Sequence, residues 1–233
     1  YYLFPGHFVF KVPDELPDGA VAAVNCAAAQ VVYGLHQAGL RMGDNVVVQG
    51  AGGLGINATA AAKEMGAARV ITIDGMPNRL ALARESGADH TININEYTTP
   101  ESRIERVKEL TEGRGADVVM EVVGYPQVVS EGIQMARKGG TFVEIGNIWP
   151  NSNVTLDVSK ILWGQVRIIP VTHYDPYILP VTLEFLVRTK DKYPLTKVVS
   201  HSFPLEKIGE AFEQAEWAGK SEDMDVMRAV VTP

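Results

Sequence analysis

Gly50, Gly52 and Gly55 stand in the spacing G-x-G-x-x-G, with Gly53 and Leu54 inside the same turn. Each glycine at that spacing has a physical task. The first permits a tight turn, the second lets backbone approach a pyrophosphate, and the third lets a following helix sit close on the preceding strand. The unpaired N–H groups and positive dipole end of that helix then face the phosphates. Asp74 lies 19 residues beyond Gly55. A carboxylate about 20 residues past the glycines is placed to accept hydrogen bonds from an adenosine ribose. Glycine-rich loops are common, however, and an ordinary strand–helix–strand crossover that binds nothing can carry one. The elements on either side must decide.

They agree with the dinucleotide reading. Val46-Val47-Val48 is a short apolar β-branched run after the turn signal Gly43-Asp44, as in a buried strand of a parallel sheet. The Ala-rich stretch Leu54 to Met65 predicts a helix closed by Gly66, and Val70 to Ile73 a second strand ending at Asp74. The alternation continues with a helix over 78–86 closed by Gly87 and a strand over 91–94. Glu101 to Glu112 is a charged helix with Ile104, Val107 and Leu110 as its buried stripe. A strand over 117–123 ends at Gly124, a helix runs over 127–137, and a fifth strand over 141–145 ends at Gly146. After a short helix, 166–169 makes a sixth. The pattern predicts an α/β fold with a doubly wound parallel six-stranded sheet, whose ligands bind outside the carboxyl ends of the strands.

The flanks read differently. Residues 8–12 predict a strand, Asp18 an N-cap, and 20–38 two short helices meeting near Asn25-Cys26-Ala27 and ending at Gly39. Past Pro170 come a helix over 178–189, a helix over 205–217 and a last strand over 226–231. Residues 22–171 are thus expected to form the dinucleotide-binding domain, with 1–21 and 172–233 belonging to a second domain.

Composition narrows the class. The chain has 233 residues, 46% hydrophobic and 21% charged, with a net charge of −7. That balance argues against a nucleic-acid or anionic-membrane partner. One cysteine excludes an internal disulfide and fits a reducing cytoplasm. There is no run of 18 apolar residues. The start at Tyr1-Tyr2, without Met, reads as processing or a fragment. The five histidines (His7, His36, His90, His173, His201) show no ligand-pair spacing and read as structural or surface residues.

Several motifs now combine. Pro13-Asp14-x-Leu16-Pro17-Asp18, Asn25-Cys26-Ala27, the run from Gly43 to Gly55, Gly87-Ala88-Asp89, Lys138-Gly139-Gly140 and Phe203-Pro204-Leu205-Glu206-Lys207-Ile208 resemble the zinc-dependent medium-chain alcohol dehydrogenases. The likeness runs the length of the chain. It implies a Rossmann domain flanked by remnants of a barrel-like catalytic domain whose N-terminal half is missing. It implies Cys26 as the third ligand of a catalytic zinc, a Lewis acid that would stabilise an alkoxide as hydride leaves for the nicotinamide. By the same resemblance Gly50, Gly52, Gly53, Leu54 and Gly55 hold the pyrophosphate of NAD, Asp74 and Arg79 the ribose, and Arg228 the pyrophosphate again. Val123, Gly124, Ile145 and Gly146 match strand ends beside the nicotinamide.

Two features depart from the family pattern. A single cysteine leaves no room for the family's structural-zinc lobe, and Gln30 stands where Thr often meets the nicotinamide. From residue type alone, a lone cysteine among alanines is a small buried hydrophobe. The expectation is therefore a homodimer or homotetramer acting on a small alcohol or carbonyl compound, with this chain binding NAD but not turning over alcohols by itself. A zinc-free reductase of the quinone-reductase type is the alternative enzyme, and a non-catalytic NAD-binding module the alternative outside enzymes.

Overall fold

The computed structural model describes residues 9–216 and 227–232. Its centre is a sheet of β1 (Asn45–Gln49), β2 (Arg69–Asp74), β3 (His90–Asn93), β4 (Ala116–Glu121), β5 (Ala136–Glu144) and β6 (Arg167–Pro170). The strands are all parallel, in the order β3-β2-β1-β4-β5-β6. All five residues of β1 are buried, because helices cover both sheet faces. From β1 the chain builds outward through β2 and β3, then returns to the other side of β1 with β4, and the switch point between β1 and β4 opens the crevice in which ligands of such sheets bind.

The two faces have separate cores. Val46, Val48, Val118, Met120 and Val143 pack with α2 (Ala29–Ala38), α3 (Gly53–Glu64) and α8 (Ile178–Thr189). Val47, Ile71, Val119 and Phe142 pack against α5 (Pro100–Leu110) and α6 (Gln127–Met135), with Val107, Ile133 and Met135. The expected stripe of α5 is present: Val107 is fully buried, and Ile104 and Leu110 pack at its margins. Its start is a capping box between Thr99 and Ser102, which satisfies N–H groups the helix itself cannot. The remaining crossover helices are α4 (Pro77–Glu85) and α7 (Val158–Gly164).

The apolar stretch from 18 to 38 has a mean hydropathy of 1.2 in its most apolar window. It is α1 (Asp18–Val21), a π-helical turn over Val24–Ala28 and then α2, packed on α3 and α8 as a core element. Asp18 does not cap it. Pro17 holds the N-cap position without a side-chain bond, and Asp18 sits in the first turn, where its charge complements the dipole.

Several boundaries differ from the sequence expectation. Residues 9–12 form no strand, and Phe10 packs on the core edge; residue 8 lies outside the described residues. An apolar alternation makes a strand only where a ladder is available. Asn153 to Leu156, which alternates like a sheet edge, is also irregular. β5 begins at Ala136 rather than Thr141, because Ala116 pairs with Ala136 and Val118 with Thr141, leaving an irregularity at Gly139, φ +71°. The helix expected from Leu205 splits into a 3-10 turn (Leu205–Lys207) and α9 (Ile208–Glu216), with Trp217 outside the described residues. The last strand is β8 (Ala229–Thr232), parallel to β7 (His201–Pro204) in a two-stranded sheet of its own, so Arg228 precedes the strand instead of lying in it. Val226 is outside the described residues.

Candidate dinucleotide and active site

The turn from β1 into α3 is tight in the way its glycines demand. Gly50 has φ +99° and donates its N–H to the Ile73 carbonyl at 2.8 Å. A Cβ on Gly55 would lie 1.8 Å from the Gly50 carbonyl oxygen, so the helix can reach the strand only with glycine there. Gly52 is the N-cap of α3, with no side-chain cap, and nothing lies within 4 Å of where its Cβ would be. The helix start is thus uncapped by any side chain and has room beside Gly52, the arrangement that receives an anion. Leu54 is half-buried on the core side of the turn.

Asp74 reaches this turn from the end of β2. Its Oδ2 accepts the Ala51 N–H at 2.7 Å and its Oδ1 the Met76 N–H at 2.9 Å. An ionised carboxylate has about four acceptor positions, so two remain for ribose hydroxyls. Arg79 is half-buried in the first turn of α4, its N–H bonded to Asn78 Oδ1 at 2.8 Å. Arg228 arrives from the far end of the chain. A Cβ on Gly53 would meet Arg228 Nε at 3.5 Å, which puts the guanidinium beside the start of α3. Ser200 fixes that segment: its Oγ accepts the N–H of Met227 at 2.9 Å and of Arg228 at 3.3 Å.

The ends of β4 and β5 close the crevice. Gly124 has φ +82°, and a Cβ there would lie 2.7 Å from the Gly146 carbonyl oxygen. A Cβ on Gly146 would lie 2.4 Å from the Gly124 nitrogen, so the two loops touch backbone to backbone. Val123 is exposed and contacts the Gly50 turn. Ile145 is buried, with its side chain against Gly34 of α2. Only its backbone faces the strand end.

A family model described as zinc-binding dehydrogenase matches residues 53–188. The chain belongs to the zinc-dependent medium-chain alcohol dehydrogenases. It is 31% identical over 209 residues to a 5-exo-hydroxycamphor dehydrogenase of Pseudomonas putida, covering 89% of this chain and 58% of that protein. It is 32% identical to an erythritol/L-threitol dehydrogenase of Mycolicibacterium smegmatis, covering 88% and 54%. An alcohol dehydrogenase structure from Thermotoga maritima superposes with a TM-score of 0.87 at 29% identity, over 96% of this chain and 60% of that one. The chain thus spans little more than half the length of these relatives.

Membership in the family directs attention to Cys26. It is exposed, in the π-helical turn, and Asn25 beside it accepts a short hydrogen bond from the Tyr174 hydroxyl. Burial first, and then the electrostatic influence of the neighbouring Cys26, push the Tyr174 hydroxyl pKa upward. Among the described residues no group of three or more His, Cys, Asp and Glu side chains could hold a metal. The described residues alone therefore do not fit a zinc site, which needs three protein ligands. Gln30 does not face the crevice as a loose polar group: its Nε2 donates to the Val171 and Thr172 carbonyls at 3.0 and 3.2 Å, tying α2 to the exit of β6.

Glu121, Glu144, Asn147 and Ser200 were not singled out from the sequence. Glu121 is fully buried at the end of β4, and its carboxylate accepts the N–H of Val123 at 2.6 Å and Gly124 at 2.7 Å. The available signal was an acid directly after the apolar run Val118-Val119-Met120.

Proposed function

We propose that this chain is the cofactor-binding portion of an NAD-dependent alcohol dehydrogenase, which moves hydride between a small alcohol and NAD to give an aldehyde or ketone. The observation that carries the reading is the glycine turn. Gly55 is seated on the Gly50 carbonyl, while Gly52 leaves open space at an uncapped helix start. Asp74 and Arg228 flank it.

The residues divide the work. Backbone N–H groups from Gly52 to Gly55 and the Arg228 guanidinium would bind the pyrophosphate. Asp74 would accept hydrogen bonds from the adenosine ribose, with Arg79 beside it. The backbone of Val123, Gly124, Ile145 and Gly146 would orient the reactive ring. Bound NAD supplies the hydride acceptor. The described residues present no metal ligand set, so the substrate-activating step is left to groups beyond them.

NAD is preferred to NADP in this reading, because Asp74 would repel a 2′-phosphate. Calorimetric titration with both nucleotides tests it. Tighter NAD binding is expected, with neither stoichiometric zinc nor turnover on a panel of primary and secondary alcohols. Tighter NADP binding, or no binding of either, overturns the cofactor assignment. Zinc with turnover overturns the assignment of Cys26 as an isolated ligand.

A further inference from the structure

Gln49, Glu121 and Glu144 are register partners across β1, β4 and β5. Partners on parallel strands point to the same sheet face, so three polar side chains stand in a row at the carboxyl edge. Glu121 is the central one. Its Oε1 accepts the two N–H groups of the Val123–Gly124 loop, at 2.6 and 2.7 Å. Its Oε2 accepts the Gly146 N–H at 3.1 Å and Asn147 Nδ2 at 3.2 Å. The same Asn147 Nδ2 donates to Glu144 Oε1 at 3.0 Å, and so does the Asn147 N–H at 3.0 Å. A Cβ on Gly146 would lie 2.5 Å from Glu121 Oε2, so the carboxylate occupies the space a side chain would need. One buried side chain therefore fastens two loops that have no strand pairing to each other at this point.

We propose that Glu121 is a positioning residue for hydride transfer: backed by Glu144 through Asn147, its carboxylate sets the separation of the Val123–Gly124 and Gly146–Asn147 loops that seat the reactive ring of the cofactor. The proposal rests on the NAD reading above.

The chemistry of the cluster makes this measurable. Burial, opposed by the loop N–H donors and reinforced by Glu144, pushes the Glu121 carboxyl up to about 7. The other charges on elements packed against this edge are directed elsewhere. Glu131 of α6 pairs with Arg103 of α5 at 2.5 Å and accepts from Gln49 at 3.2 Å. Asp157 and Lys160 at the start of α7 are exposed. The ionised form of Glu121 accepts all four donors. Protonation turns one oxygen into a donor, and Oε1 is the more tightly engaged, so the proton falls on Oε2 and the Gly146 and Asn147 contacts lose their acceptor. The loops hold their spacing best above the transition.

The test compares NADH with ADP-ribose, which lacks the nicotinamide, by measuring both dissociation constants on the 233-residue chain across the neutral range. The affinity ratio of NADH to ADP-ribose is expected to rise about tenfold with pH, the effect of losing a hydrogen bond to a charged group, with its midpoint near 7. In Glu144→Gln the midpoint moves to lower pH, because the neighbouring charge is gone. In Glu121→Gln the ratio stays at its low-pH value, while ADP-ribose affinity is unchanged in both variants. A ratio independent of pH, or a wild-type profile in Glu121→Gln, overturns the proposal. Should Glu121→Gln fail to fold, an unmoved midpoint in Glu144→Gln overturns it equally. If both ligands bind and the ratio is flat, only this inference falls. If neither binds, the NAD reading falls and takes it along.

Discussion

The carboxylate of Asp74 accepts the Ala51 N–H at 2.7 Å, so the end of β2 is tied directly to the glycine turn that follows β1. The acid expected to read the ribose thus also shapes the turn expected to hold the pyrophosphate. Asp74→Ala should act on both. Losing the bonds to Ala51 and Met76 should cost about 1–3 kcal/mol of folding stability. Removing the carboxylate should weaken NAD binding about tenfold while NADP binding weakens less, because repulsion of a 2′-phosphate is lost with it. Denaturant titration and calorimetry on the same preparation measure the two effects. An unchanged NAD-to-NADP ratio would remove Asp74 from the recognition of the ribose.

Two glycines in one turn should separate folding from binding. A methyl group at Gly55 would overlap the Gly50 carbonyl oxygen at 1.8 Å. Relief requires backbone movement, and Gly55→Ala should destabilise by about 3 kcal/mol or more. Gly52 has φ −73°, which any residue adopts, and its Cβ position is empty to 4 Å. Gly52→Ala should therefore melt like the wild type but lose dinucleotide affinity, since the methyl group enters the space left for the phosphates. Equal melting of both variants would contradict the packing argument, and undiminished NAD binding by Gly52→Ala would contradict the site.

The contrast between these glycines shows what the sequence could convey. Spacing alone marks Gly50, Gly52 and Gly55, and the largely apolar, β-branched runs at 46–48, 70–73 and 118–119 mark the strands, because burial on both faces favours that composition. The helix over 178–189 is legible to the residue, since its buried positions repeat at helical spacing. Long-range pairings are not written locally. β7 and β8 are joined across 24 intervening residues, and nothing in either segment names the other. The Glu121 cluster is hidden for the same reason. Its donors come from Val123, Gly124, Gly146 and Asn147, and only the register of β4 with β5 brings them together.

β6 is an edge strand, and beside it α7 exposes Leu162 and Trp163, at 71% and 77% of their surface. Ile168 of β6 is 43% exposed. An open parallel edge next to exposed large apolar side chains is a surface for association. A second copy of this chain is the expected occupant. Light scattering at micromolar concentration should give at least a dimer, and Trp163→Glu should shift it to monomer without changing NAD affinity. A monomeric wild type would contradict this.

Stability should depend on pH through two buried acids acting in different windows. Glu121 has a pKa raised from the ordinary 4.5 to about 7. The native state then holds a proton that the unfolded chain has released, so stability falls as pH rises from about 4.5 to about 7 and levels off above. The span corresponds to about 3 kcal/mol. Asp117 behaves oppositely. Burial would raise its pKa, but the Asn45 N–H and the Arg137 guanidinium together outweigh burial and hold it below the ordinary 3.8. Its contribution is complete above 3.8 and is lost as pH falls through the depressed value. Urea unfolding over a pH series should show both limbs. Glu121→Gln should flatten the decline between about 4.5 and 7 and leave the acid limb in place, whereas Asp117→Asn should remove the acid limb alone. A Glu121→Gln profile that still declines like the wild type would mean that the charge buried at the end of β4 is not the group that titrates.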